Sequence, residues 1–308
     1  MEGAAERPRV AFKSCPSDFV VEEDLDLTFA GEGEHGYFFV EKCERNTADV
    51  VRALTRALDC RDVDVGYAGL KDKHAVTRQW FSIRGVSAWP QLDDPAIRCL
   101  TSARHTRKLR RGMHRGNRFQ VTLRNVPAGT DERLRGLMAG FANYFGAQRV
   151  NPSNCQAARQ WLGSRRRGQG RRGRGAGRAG WHLSVLRSEL FNAVLAHRAG
   201  RGDFPAPLPG DVLQEGVPTG PLWGRGRSAT AGTALCLEQQ ALAPYAAICE
   251  QLEYAGVDQA RRPLWVTPQH LKVEAAADMC ELTFTLPPGA YATALLEQAV
   301  VLEEPGRG

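Results

Sequence analysis

The sequence has no apolar run long enough to cross a bilayer. Its first ten residues, MEGAAERPRV, hold no apolar stretch, so a secretory leader is not expected. The cysteines, at 15, 43, 60, 99, 155, 236, 249 and 280, form no C-x-x-C and no Cys/His cluster of metal-ligand spacing. Reduced, scattered thiols in a cytoplasmic protein are the expectation. Walker A, H-E-x-x-H and nucleophile-elbow motifs are absent. GAGRAG, at 175–180, fits G-x-G-x-x-G but follows arginines instead of a buried strand, which argues against a dinucleotide fold. No metal and no cofactor are therefore expected. The lack of a helix-turn-helix pattern argues against a DNA-binding regulator.

What is present is a chain of 308 residues, 43% hydrophobic, enough for one large domain or two ordinary ones. The net charge of +7 comes almost wholly from arginine and favours a polyanionic partner. GYFFVEK (36–42) reads as a strand. NTADVVRALTRALDC (46–60) reads as a helix, with Asn46 and Thr47 as cap candidates and Val50, Val51, Leu54, Ala57 and Leu58 at helical spacing. In RFQVTLRNV (118–126), Phe119, Val121 and Leu123 alternate with polar residues, the mark of a half-buried strand.

From about residue 140 the texture changes. NPSNCQAARQWLG reads as a helix, and SRRRGQGRRGRGAGRAG (164–180) as a low-complexity loop. A helix follows with Leu183, Leu186, Leu190, Phe191, Val194 and Leu195 on one side, then Gly/Pro-rich loops over 200–235, then a helix over roughly 236–256. ELTFTL (281–286) returns to strand alternation. Strands, then helices, then strands again is the order produced by a segment inserted into an α/β (α+β) domain.

The stretch YAGLKDKHAVTRQ (67–79) is the main chemical candidate. Gly66, Ala68 and Gly69 permit close backbone approach before Asp72, and extended WFSI (80–83) follows. Lys71 and Lys73 flank the carboxylate; cations favour its ionised form and desolvation opposes it. A partly buried carboxylate between cations is one way to build a nucleophile. An isolated K-D-K, by contrast, is a charged turn.

GLKDKHAVTRQ resembles the signature of the TruD family of tRNA pseudouridine synthases. The resemblance extends through PSDFVVEEDL (16–25), GEGEHGYFFVEK (31–42), ARHTRKLRRGMHRGNRFQVTLR (103–124), NYFGAQR (143–149) and LPPGAYATALL (286–296). Two places depart from the family pattern. Val150-Asn151 stands where Phe-Gly is usual, and Glu297-Gln298 where Arg-Glu is common.

The resemblance implies a pseudouridine-synthase catalytic domain with a central mixed, largely antiparallel sheet, formed by 1–139 and 267–308. It implies a TruD-specific α/β domain inserted at 140–266, within which the Arg/Gly composition of 164–180 is expected to form a mobile loop. It makes Asp72 the catalytic aspartate. Phe119 becomes the aromatic that stacks on a flipped base, Asn117 a contact to the base or the carboxylate, and Phe19 and Tyr291 pocket residues. Tyr291 stands where the family more often has Phe. Lys13 and Lys71 become supporting cations facing RNA phosphate or Asp72. Phosphate contacts are expected from Arg107, Lys108, Arg110, Arg111 and Arg115, and a binding role from Arg78. The implied partner is tRNA, the implied target uridine 13 of the D arm, and a monomer is expected. The competing reading is a non-catalytic RNA-binding or RNA-folding protein that keeps the fold.

Overall fold

The computed structural model describes residues 6–164 and 176–304. Its contacts divide the chain into two compact units. One comprises Met1–Ala139, Pro268–Ala292 and Leu296–Gly308, and the other Gly140–Thr267 and Thr293–Leu295.

The first unit opens with strands β1 (Arg9–Phe12), β2 (Phe19–Asp24) and β3 (His35–Cys43). Helix α1 (Thr47–Leu58) follows, begun by Asn46, whose backbone N–H donates to Asp49 Oδ2 at 2.6 Å. Val50, Val51 and Leu54 of this helix are buried against Phe38 and Val40 of β3. Strands β4 (Val65–Tyr67), β5 (Val76–Arg84), β6 (Ile97–His105) and β7 (Gly116–Arg124) come next, then helix α2 (Thr130–Gly136). Phe81 and Ile83 of β5 extend the same core. In β7, Phe119, Val121 and Leu123 are buried while Arg118 and Gln120 are exposed, as the alternation requires.

The second unit holds short strand β8 (Phe141–Ala142), helices α3 (Pro152–Gly163) and α4 (Ala176–Ala199), strands β9 (Leu213–Gln214) and β10 (Val217–Leu222), helices α5 (Gly232–Leu242) and α6 (Ala246–Glu253), and strands β11 (Ala260–Pro263) and β12 (Trp265–Val266). Asn151 caps α3, accepting from the Asn154 N–H at 2.8 Å, and Pro152 fills the first helical position. Three sequence readings change here. Helix α4 already begins at Ala176, inside the tract read as loop; residues 165–175 lie outside the described residues. The apolar residues of α4 do not occupy one side. Val185, Ser188 and Arg198 are buried along with Leu183, Leu186, Leu190, Phe191, Val194 and Leu195, so the helix is enclosed over most of its circumference. The helix read over 236–256 is two, α5 and α6, parted by a short turn containing Pro244, which lacks the N–H a continuous helix needs.

Strands β13 (Gln269–Ala276), β14 (Met279–Leu286) and β15 (Val301–Glu303) return to the first unit and complete a ten-stranded sheet. Its main path runs β13-β14-β7-β2-β5-β3-β6, with β1 joining β7 to β15 and β4 lying on β5. Only β1–β15 and β2–β5 are parallel, so the α+β unit rests on a mixed, largely antiparallel sheet.

The pairing register sorts residues into rows across this sheet. One row, on the face away from α1, reads Arg98, Glu41, Arg78, Glu22, Arg118 on consecutive strands. Arg98 and Arg78 both pair with Glu41, at 2.6 and 2.9 Å, and Arg78 also reaches Glu22 at 3.1 Å. This corrects the RNA-binding role expected of Arg78, whose guanidinium is committed to two carboxylates of the sheet. Arg78→Ala is expected to cost about 1–2 kcal/mol of stability in urea unfolding, because charged hydrogen bonds are lost in a half-exposed setting. RNA affinity should be unchanged.

Candidate active site

Asp72 sits in the connection between β4 and β5. The connection is drawn tightly against its surroundings. A Cβ on Gly66 would lie 2.4 Å from the Leu109 carbonyl oxygen and 2.5 Å from Ser82 Oγ, so only glycine fits there. The Ala68 carbonyl accepts from the Gly112 N–H at 2.9 Å. The connection is also pinned from the sheet side. Gln79 Nε2 donates to the Gly69 carbonyl at 3.1 Å, and Thr47 Oγ1 accepts from the Lys71 N–H at 3.0 Å while donating to Gln79 Oε1 at 2.9 Å. Thr47, read as a cap candidate, therefore turns its hydroxyl to the Asp72 loop, and Asn46 takes the cap position.

The Asp72 carboxylate is 41% exposed, so a substrate can reach it. Its partner is Lys13, with Nζ 3.2 Å from Oδ2 and a side chain only 5% exposed. Lys13 adopts φ 56°, the left-handed region that a non-glycine residue rarely occupies. Its ammonium lies 4.2 Å from the Phe19 ring centroid and 5.1 Å from that of Phe12. The cation is thus held over an aromatic surface and aimed at the carboxylate.

Lys71 does not face Asp72. Its Nζ pairs with Glu23 at 2.8 Å, and both side chains are buried, 4% and 0% exposed. The other Glu23 oxygen accepts from the Trp80 N–H at 3.2 Å. The expectation that Lys71 meets phosphate or Asp72 is corrected: the backbone turns its side chain inward, where it neutralises a strand carboxylate. His114 borders this pair, its Cε1 3.4 Å from where a Gly69 Cβ would stand, beside Lys71 Nζ at 3.3 Å. Burial holds the His114 imidazole below its ordinary pKa, and the Lys71 charge pushes the same way.

Lys42, at the end of β3, is 1% exposed. It donates to the Asp72 carbonyl at 2.7 Å and to the Arg45 carbonyl at 2.6 Å. Burial lowers its pKa to about 8, with the Asp72 charge opposing the shift.

Phe119 and Asn117 share the inward face of β7. Phe119 is 6% exposed; its ring stacks on Phe284 at 5.2 Å and meets Phe19 at 5.9 Å. Phe19 in turn touches Phe12 edge-on at 5.3 Å. An aromatic file therefore runs across β14, β7, β2 and β1, with Lys13 and Asp72 beside it. Asn117 stands opposite Glu23, and its buried Oδ1 accepts no hydrogen bond. Tyr291 is half-buried in the segment after β14. Lys13, Phe19, Phe119 and Asp72 are joined by direct contacts, while Asn117 connects to them through its strand.

The basic segment between β6 and β7 is uneven. Arg107, Arg110, Arg111 and Arg115 are exposed. Arg111 stacks 4.0 Å over Tyr67 and donates to its hydroxyl at 2.7 Å. Arg115 reaches Asp26 at 3.4 Å. Lys108 instead donates to the Val63 carbonyl, so its ammonium is already engaged within the unit. Among the described residues, no three His, Cys, Asp or Glu side chains converge as metal ligands.

Sequence reading missed Glu23, Lys42 and Gln79. A signal for the first two was present. Glu23 follows Phe19 and Val21, and Lys42 follows Phe38 and Val40, at the period of two that keeps a side chain on the buried face.

The model of the family described as tRNA pseudouridine synthase D (TruD) matches residues 7–151. The chain is 37% identical to the tRNA pseudouridine synthase D of Methylococcus capsulatus, over 97% of this chain and 93% of that protein. It is 38% identical to the tRNA pseudouridine synthase D of Cellvibrio japonicus, over 94% and 89%. A crystal structure of the putative tRNA pseudouridine synthase D from Methanosarcina mazei superposes with a TM-score of 0.68 at 19% identity, covering 96% of this chain and 94% of that one, which establishes the shared fold. With relatives this similar over nearly its whole length, the chain belongs to the TruD family.

Proposed function

We propose that this protein converts uridine to pseudouridine in tRNA, with Asp72 as the attacking group and uridine 13 of the D arm as the target. The observation that carries the reading is the half-exposed Asp72 carboxylate, paired with a buried lysine and placed at the edge of an aromatic file. A surface charge in a mobile turn would not be fixed from four directions by Thr47, Gln79, Lys42 and Lys13.

The chemistry needs few groups. Uracil must break its N1–C1′ bond, turn, and rejoin through C5, which then gives up its proton while N1 takes one, so that the overall change is an isomerisation. Uracil departs as a delocalised anion, so the partner acid that glycosidases use against a sugar alkoxide is not required. Asp72 either attacks C1′ or removes the 2′ proton; both use a single carboxylate. The target base must first be extruded from folded RNA. Phe119, between Phe284 and Phe19 in the aromatic file, supplies the stacking surface. Asn117, with its unused acceptor, matches an N–H on the uracil edge. Phe19 supports Lys13 and Phe119 from behind, and Tyr291 lines the pocket. Two parts of the domain reading belong to the same proposal: the second unit is the inserted TruD-specific domain, and the first is catalytic. The protein acts in the cytoplasm, as a monomer, without metal or cofactor.

The exposed arginines 107, 110, 111 and 115 hold RNA phosphates. The arginines of 165–174 add to this by charge. Changing the six arginines of 165–174 to serine is expected to weaken tRNA binding and flatten its salt dependence, by roughly 0.7–0.9 in log–log slope for each phosphate no longer neutralised. The rate at saturating tRNA should hold. Filter binding over a salt series, with single-turnover rates, makes the check; a collapsed rate at unchanged affinity would place the tract in the active site.

The test of the whole reading is pseudouridine formation by the purified chain on unmodified tRNA. The competing binder reading predicts affinity without product.

A further inference from the structure

Lys42 meets the Asp72 loop at its backbone. It is fully buried, and its ammonium donates to two backbone carbonyls, those of Arg45 and Asp72, instead of to a carboxylate. It therefore ties the start of α1 to the one residue of the loop that carries the proposed chemistry. Directly across the ladder from Lys42 is Thr77, 0% exposed, whose Oγ1 makes no hydrogen bond.

We propose that Lys42 is a positioning residue for Asp72: its ammonium, bonded to the Asp72 carbonyl, holds the carboxylate in its reactive place, and turnover requires it protonated. This rests on the reading of Asp72 as the attacking group. Lys13 fixes the carboxylate from the side-chain end and Lys42 fixes the same residue from the backbone end. Loss of the Lys42 proton removes one of its three donors and the positive charge bonded to that peptide group.

The charges around Lys42 agree with a group poised to titrate. Asp72 of the loop, Asp49 of α1 and Cys43 of its own strand favour the ammonium, whereas burial and Lys71 of the loop oppose it, leaving the pKa at about 8. The folded value lies below the ordinary 10.5. Between the two, the unfolded chain binds a proton that the folded chain does not. Stability therefore rises with pH through that window, and at neutral pH the buried charge opposes folding. A charge kept at a cost to stability, bonded to a candidate reactive residue, is the pattern of a functional group.

The experiment measures single-turnover rates at saturating enzyme from about pH 6.5 to about pH 9 for wild type, Lys42→Arg and Lys42→Gln, with tRNA affinity at each pH. Wild type should hold its rate to about pH 8 and then fall toward tenfold per pH unit. Lys42→Arg should lose this alkaline limb, since guanidinium does not titrate there. Lys42→Gln should be slower by about tenfold or more below about pH 8, without the limb, so that its rate and that of wild type converge toward about pH 9, and with affinity within about twofold. A limb that persists in Lys42→Arg, or a Lys42→Gln rate equal to wild type at neutral pH, overturns the proposal. If neither variant folds by circular dichroism, wild type decides alone: a flat profile through pH 9 overturns it and the limb supports it. Activity retained by Asp72→Asn would sink the underlying reading instead. A dead Asp72→Asn with indifferent Lys42 variants would sink only this inference.

Discussion

Asp72→Asn is expected to abolish pseudouridine formation, with a rate lower by about 10⁴-fold or more, equivalent to about 5 kcal/mol of lost transition-state stabilisation. The amide keeps the shape of the side chain and removes its nucleophilic charge. Affinity for tRNA should persist, because the exposed arginines proposed to hold phosphate lie on the β6–β7 connection, not on the Asp72 loop. A secondary effect follows from Lys13. Its ammonium is 5% exposed and would lose its carboxylate partner, keeping the Phe19 and Phe12 ring faces. A loss of about 1–2 kcal/mol in stability is expected, small enough to leave the protein folded. Single-turnover assays, filter binding and urea melts on one preparation separate the three effects. Loss of tRNA binding in parallel with rate would mean that Asp72 serves the RNA contact and not the chemistry.

The second large effect is on folding. Lys71→Met should destabilise the protein by about 3–5 kcal/mol, because Glu23, 0% exposed, would be left buried without its cation. The double variant Lys71→Met, Glu23→Gln should recover much of that loss. The glutamine carbonyl can still accept from the Trp80 N–H, and no charge remains to be desolvated. Urea midpoints with an unchanged m-value are the measurement. If Lys71→Met is as stable as wild type but binds tRNA poorly, the lysine faces RNA and the buried pair does not exist in solution.

These two lysines mark the limit of what the sequence discloses. Helix α1, strand β7 and strand β14 were legible because each repeats its apolar residues at the period of its own structure, and Gly66 was legible as a point of close approach. Asp72 was legible from small residues before it and cations around it. The destination of each cation was not. Lys71 and Lys73 flank Asp72 in sequence, yet Lys13, distant in the chain, makes the ion pair. Side-chain direction in an irregular connection has no period, so neighbours in sequence say little about neighbours in space. Arg78 failed for a related reason. Its partners Glu22 and Glu41 come from two other strands, and only the sheet register aligns them. Helix α4 failed differently: a helix enclosed by its own unit carries apolar residues nearly all round, and a search for one apolar side found only part of them.

The central claim is that the Asp72 site isomerises a tRNA uridine. The most direct measurement incubates the purified protein, without added metal or cofactor, with unmodified tRNA transcripts, and maps pseudouridine by chemical derivatisation and reverse-transcription stops. The account predicts a single new pseudouridine, at position 13 in the D arm, with the wild-type chain and none with Asp72→Asn. Wild-type protein that binds these tRNAs tightly and leaves every uridine unchanged would contradict it.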